Sequence, residues 1–261
     1  MGMRMRKALA VVTLIAAAGQ PAIAQTHGGG PVEIPLRVEG GRLLVPVEAD
    51  DGTRFEFALS TGTAVTVLSQ SAASRLGGQT ALTVGGVPVQ TEGSQTLPDE
   101  RLTTDGDLLD GMIGSNTLNQ FDVLIDVPGG RLVLKPIGRA VEWAGMVMSE
   151  PVRLLVMHGV VLGLDVELDG RPYKAMLDVG TPTLIVNEAV QTHLHLENEA
   201  TGTLSLGSAA LPDLPVRVRD LDILKRWDPN GEGFVLVGAP VTYDCAISIS
   251  WVHQEMRTCV R

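Results

Sequence analysis

Apolar and polar positions alternate along much of the chain. Leu43 to Glu48 alternates, Asp50-Asp51-Gly52 interrupts, and Arg54 to Leu59 alternates again. Period-two patterning on both sides of an Asp-Gly turn predicts a β-hairpin. The same layout returns in the second half, with Leu162 to Leu168, a turn at Asp169-Gly170, then Pro172 to Leu177. A few residues after each hairpin comes a short apolar run, Val65 to Leu68 and Leu184 to Val186. Each run ends at a side chain able to accept from the first turn of a helix, Ser69 and Asn187. Short helices are predicted from there to Leu76 and to Leu194, the first stopped by Gly77. Thr80 to Leu109 and Glu197 to Gly233 are longer and turn-rich, with strand fragments at Leu82-Thr83-Val84 and Leu204-Ser205-Leu206. Pro136 to Pro151 reads as a connection. The pattern predicts an all-β chain with a few short helices.

The two stretches superpose in sequence. With Ser60 set against Asp178, an offset of 118, Asp51-Gly52 falls on Asp169-Gly170, Phe55 on Tyr173, Leu59 on Leu177 and Gly62 on Gly180. Thr63 then falls on Thr181, Leu76 on Leu194 and Gly41 on Gly159, with no gap. A second block follows in the same order. Gly111-Met112-Ile113-Gly114 matches Val235-Leu236-Val237-Gly238, and Phe121 to Ile125 matches Tyr243 to Ile247. A period this long predicts two similar lobes, not a solenoid.

Composition narrows the class. At 44% hydrophobic and 19% charged, the chain can bury a core, and with only 3% aromatic residues that core must be built from Val, Leu, Ile and Ala. The formal net charge of -10 argues against nucleic acid as a partner, because phosphate contacts need clustered Lys and Arg. Arg4, Arg6 and Lys7, the apolar Ala8 to Gly19, and Ala22-Ile23-Ala24 form a signal-peptide pattern with a predicted cut after Ala24. The apolar stretch is shorter than the ~20 residues a spanning helix needs. A periplasmic or secreted location is therefore expected, with no membrane attachment once the leader is removed. Cys245 and Cys259 flank alternating segments on either side of Ser250 to Gln254. In an oxidising compartment a hairpin there would let them form a disulfide.

The candidate chemistry lies at the centre of the superposition. Leu59-Ser60-Thr61-Gly62-Thr63 and Leu177-Asp178-Val179-Gly180-Thr181 each follow a predicted strand and precede an apolar run and a capped helix. Here the chain resembles the aspartic peptidases, in particular the retropepsin-like kind that occurs twice in one bacterial chain. That family carries Asp-Thr-Gly or Asp-Ser-Gly after an apolar residue in each lobe, and a later Gly-x-x-Gly element. Asp110-Gly111-Met112-Ile113-Gly114 resembles this element, and Gly233 to Gly238 is a looser likeness. The resemblance covers most of residues 35 to 261. It implies a bilobed acid-protease fold with two similar closed β-barrel-like lobes, at 35–137 and 152–261. A linker at 25–34 precedes the first lobe and a connection at 138–151 joins the two. It also implies a flap drawn from Val84 to Gln95.

Two positions depart from that pattern. Ser60 stands where the family has its first Asp, and Val179 stands where it has Thr or Ser. Paired carboxylates work by sharing a proton, one acting as base on water and the other as acid. Serine has no ionised form near neutral pH with which to share. The active-site loops would thus be Ser60, Thr61, Gly62 and Thr63 facing Asp178, Val179, Gly180 and Thr181, with one carboxylate and one hydroxyl. Ser60 as a nucleophile would need a neighbouring base, and nothing places His158, His193 or His195 beside it. His193-x-His195 reads as a polar helix end, so no metal and no cofactor is expected. Asp51 and Asp169 read as turn residues, and Asp126 as a solvated strand end. Three roles stay open on the sequence: a degenerate peptidase that binds an extended peptide or unfolded segment in the cleft the resemblance implies between the lobes, near Ser60 and Asp178, without cutting it; an active aspartic endopeptidase using Asp178, as by pairing it across a homodimer; and a structural or assembly protein.

Overall fold

The computed structural model describes residues 30–78, 81–104, 107–138, 143, 145–157 and 160–260. The expected leader at 1–24, its cut after Ala24, and residues 25–29 of the linker lie outside the described residues. The first half contains β1 (Val32–Pro35), β2 (Arg37–Glu39), β3 (Arg42–Ala49), β4 (Arg54–Leu59), β5 (Val67–Ser69), α1 (Gln70–Leu76), β6 (Leu82–Val84), β7 (Val87–Pro88) and β8 (Gln95–Leu97). It continues through α2 (Asp99–Leu102), β9 (Thr103–Thr104), β10 (Asp107–Leu108), β11 (Gly111–Ile113), α3 (Ser115–Leu118), β12 (Phe121–Asp126) and β13 (Arg131–Pro136). The second half contains β14 (Val152–Arg153), β15 (Leu155–Met157), β16 (Val161–Leu168), β17 (Arg171–Leu177), β18 (Leu184–Val186) and α4 (Glu188–Leu194). It ends with β19 (Glu199–Leu206), β20 (Ala209–Val218), α5 (Asp222–Trp227), β21 (Phe234–Val237), a 3-10 turn over Ala239–Thr242, β22 (Ile247–Ser250) and β23 (Glu255–Thr258). The chain is mostly β, as the alternation predicts.

Local signals place the elements well. The β16–β17 hairpin turns on Asp169 (φ 49°) and Gly170 (φ 77°), the pair of left-handed residues that a two-residue hairpin turn needs. Ser69 caps α1 by accepting from Ala72 N, and Gly77 ends it at φ 58°. Asn187 caps α4 by accepting from Val190 N, and His195 ends it at φ 53°. His193 and His195 therefore sit at a helix end.

The second half closes into a barrel. Its strands run β16-β17-β21-β18-β20-β19, and β19 returns to β16 at Glu167↔Ser205 and Leu168↔Leu204. The first half forms an open sheet, β7-β6-β3-β4-β11-β5-β8, with β2 beside β3. The resemblance implies two similar closed barrels, and only the second is closed. Its β20 is a single 10-residue strand. It pairs with β19 and then runs on into parallel pairing with β18. In the first half Pro88, with no N–H to donate, ends the corresponding strand after two residues. Gly93 (φ 71°) then turns the chain, with Ser94 N donating to Thr91 O, before β8 resumes beside β5. The Val84 to Gln95 segment, expected as a flap, is part of the wall. Its turn at Gly85 packs on β1 so closely that a Cβ there would lie 2.6 Å from Ile34 Cγ1, and Gln90 N donates to Thr117 Oγ1 at 2.9 Å.

A third sheet joins the halves in the order β1-β13-β12-β22-β23-β14. β12 of the first half and β22 of the second meet in antiparallel register from Asp122↔Ser250 to Ile125↔Ile247. Every residue of both strands is buried, and one core cluster extends from Ile34 to Met256. The β22–β23 hairpin brings Cys245 and Cys259 to a Cα separation of 5.6 Å, and they form a disulfide. The connecting segment packs over it, with Met148 bridging to Cys259 and Trp143 beside Ala246.

Candidate functional site

The loop carrying Ser60 leaves β4 and enters β5, and β11 is wedged between those two strands. It pairs in parallel with β4 and antiparallel with β5. This ties both ends of the loop, Ser60 N donating to Ile113 O at 3.0 Å and Ser115 N to Thr63 O at 2.8 Å. The loop carrying Asp178 is built in the same way, with β21 wedged between β17 and β18. Asp178 N donates to Val237 O at 2.9 Å, and Ala239 N to Thr181 O at 2.8 Å. Gly114 and Gly238 are needed for close approach, since a Cβ on either would overlap the carbonyl oxygen of Val65 or Thr183.

These two loops meet. Ser60 Oγ donates to Asp178 Oδ1 at 3.0 Å. The same carboxylate oxygen accepts from Gly62 N at 3.1 Å and Gly180 N at 2.9 Å, and Oδ2 accepts from Thr181 Oγ1 at 3.2 Å. Ser60 Oγ also accepts from Thr63 N at 3.1 Å and lies 2.7 Å from Thr63 Oγ1. With its own O–H directed at Asp178, Ser60 Oγ is left to accept from the Thr63 hydroxyl. Each glycine packs on the opposite loop: a Cβ on Gly62 would lie 2.5 Å from Asp178 Cγ, and one on Gly180 2.8 Å from Ser60 Cβ. Ser60 is 1% exposed and Asp178 5%. The constellation is thus an internal junction between halves in which every polar side chain has a partner.

The brace beneath it is one-sided. Thr61 Oγ1 donates to Leu177 O at 2.8 Å and accepts from Val179 N at 3.2 Å. Val179, fully buried, has no hydroxyl to return either bond to the first loop. Ser115, which the motif pattern does not single out, donates its Oγ hydrogen to Thr61 O at 2.9 Å. Its signal is its place directly after Gly114; the second half has Ala239 there and keeps only the backbone bond. Across the halves, Tyr243 Oη donates to Gly41 O at 2.9 Å, and a Cβ on Gly41 would lie 2.7 Å from Pro182 Cβ. The β2–β3 turn thereby reaches the loop that carries Asp178.

Other candidates fall elsewhere. Asp126, read as a solvated strand end, is buried and braces a turn by accepting from Gly129 N and Arg131 Nε at 2.9 and 2.8 Å. The turn folds Arg131 back over a carboxylate that would otherwise be costly to bury. His193 stacks on Tyr173 at 6.2 Å between ring centroids, and His158 lies outside the described residues. Among the described residues no group of three His, Cys, Asp or Glu is placed to hold a metal. No protein-family model and no curated protein matches the chain.

Proposed function

We propose that this chain is a bilobed protein of the acid-protease fold, related to the single-chain retropepsin-like aspartic peptidases, that binds extended polypeptide and does not cut it. The observation that carries the reading is Ser60 Oγ lying 3.0 Å from Asp178 Oδ1, where the resemblance calls for a second carboxylate. Water attack on a peptide carbonyl in such a site takes one ionised and one protonated carboxyl, each 3 Å or so from the other. The serine hydroxyl donates its hydrogen bond to Asp178 and has no basic form with which to take a proton from water. Asp178 in turn spends its acceptor sites on four donors from both loops. Its role is to brace the junction.

Pairing Asp178 across a homodimer fits this geometry poorly. Two such residues could meet only if the halves parted, breaking the bonds from Thr61 to Leu177 and Val179. The leader pattern and the Cys245–Cys259 disulfide support an exported protein, in the periplasm or outside the cell. Extended polypeptide as the ligand is supported by the resemblance.

The test is digestion of a mixed peptide library across acid to neutral pH, read by mass spectrometry. The natural chain is expected to leave the library intact, and Ser60→Asp to gain cleavage that Asp178→Asn abolishes in the same background. Cleavage by the natural chain that disappears in Asp178→Asn would overturn the reading.

A further inference from the structure

Away from the Ser60–Asp178 junction, one covalent bond stands beside open space. The Cys245–Cys259 disulfide lines a cavity of about 250 Å³ between β20, the 3-10 turn and Thr258 to Val260. The cavity reaches solvent, because Ala210, Pro212, Asp244 and Val260 line it and all four are exposed. Cys245 is buried, at 4% exposed, whereas Cys259 is half-buried. Access decides which sulfur a thiolate attacks, and here it favours Cys259.

The bond lies outside the pairs that define its hairpin. β22 and β23 are in register from Ile247↔Thr258 to Ser250↔Glu255, all within the loop that the disulfide closes. β22 is also paired along its other edge with β12. The hairpin therefore does not depend on the covalent link. What the link holds is the segment beyond the register. There Cys259 N donates to Ala246 O at 2.9 Å, Met148 bridges to Cys259, and Val260 N donates to Val147 O at 2.8 Å. Val147 and Val260 are 73% and 56% exposed, so this fastening lies at the surface. Its inner boundary is Ser149, whose N donates to Thr258 O at 2.7 Å and whose Oγ accepts from Thr258 N at 3.2 Å. The disulfide thus pins Cys259 and Val260 against the connection between the halves. The reduced state also has a place. Cys245 Sγ lies 3.0 Å from Cys259 O. A disulfide sulfur has no hydrogen to donate, but a Cys245 thiol would donate to that carbonyl.

We propose that the Cys245–Cys259 bond is a redox switch that fastens and releases the connection at Val147 and Met148, worked by a dithiol. One thiolate of the dithiol bonds to Cys259 Sγ, the S–S bond breaks, and Cys245 leaves with the electron pair and takes up a proton. The second thiol of the reductant then displaces Cys259, also as a thiol, from the mixed disulfide. Two electrons and two protons pass from the dithiol to the protein. Cys259 and Val260 come away from the connection while β22 and β23 stay paired. None of this depends on the polypeptide-binding reading. The test is reduction of the folded full chain by dithiothreitol, read by thiol labelling and mass spectrometry, with the unfolding rate measured separately. The rate is expected to rise in proportion to dithiothreitol and to exceed unfolding by at least about tenfold. A rate that levels off at the unfolding rate overturns the proposal, because the bond then opens only in the unfolded chain. Hydrogen exchange in the reduced chain should quicken by at least about tenfold at the Cys259 and Val260 amides and stay unchanged in β12 and β22. Exchange that reduction leaves unchanged, or loss of the fold on reduction as read by circular dichroism, likewise overturns it. Cys245→Ser with Cys259→Ser should reproduce the reduced exchange pattern without dithiothreitol. If that variant does not fold, the reduced natural chain carries the test alone.

Discussion

At the scale of single residues, Thr61 holds the tie between the two loops without help from Val179, which has no hydroxyl. The one side-chain oxygen of Thr61 serves both a carbonyl and an N–H of the opposite loop. Thr61→Val would leave Leu177 O and Val179 N buried and unpaired, each costing about 1–3 kcal/mol. The expected loss is about 2–6 kcal/mol, read as a lower urea midpoint with an unchanged slope. Ser115→Ala removes one bond to Thr61 O and should cost about 1 kcal/mol. Equal losses from both would show that Thr61 is not the principal tie. Much of this junction was legible beforehand. Ser60 and Asp178 share a place in the superposed stretches, and the structure puts them in contact. The local donors Gly180, Thr181 and Thr63 lie two or three residues from the side chains they serve, but Gly62 N reaches Asp178 only across the two halves, which no local pattern records.

At the scale of elements, α1 has a second N-terminal partner besides its cap. Asp99, at the start of α2, accepts from Ser71 N at 3.0 Å and from the Ser71 hydroxyl. The Ser71 hydroxyl first, then its N–H, hold the Asp99 carboxyl below the ordinary aspartate value of 3.8. A carboxylate at a helix N-terminus also faces the positive end of the helix dipole. With a folded pKa depressed below the unfolded one, the stabilisation is fully present above about pH 4 and fades as pH falls through the folded value. Stability measured from about pH 6 down to 3 should therefore drop more steeply for the natural chain than for Asp99→Asn. Parallel curves would remove Asp99 as a contributor. The caps themselves were readable, because Ser69 and Asn187 act on N–H groups three residues on. Asp99 stands 28 residues from Ser71 and carries no local signal. Closure of only one barrel escaped notice for a related reason. Pro88 and Gly93 are visible in the sequence, but what they interrupt is a pairing with strands far along the chain.

At the scale of the molecule, the two halves predicted as separate lobes are stitched through one sheet. Ile125 and Ile247 hold the same place in the superposed stretches, and the structure makes them register partners at the β12–β22 junction. A position paired with its own counterpart is where a two-fold relation between halves would pass. The superposition alone could not show this, because it aligns segments without saying which of them touch. The consequence is energetic coupling. β12 pairs with β13 along one edge and with β22 along the other, so opening the second half should bare an edge of the first. Ile249 is fully buried opposite Val123, and Ile249→Ala should cost about 2–5 kcal/mol. If the halves unfold together, native-state hydrogen exchange will show β4, which leads to Ser60, losing as much protection as β17, which leads to Asp178. Loss confined to β17 would mean that each half opens by itself. The Ser60–Asp178 contact would then be a meeting of two units that open independently.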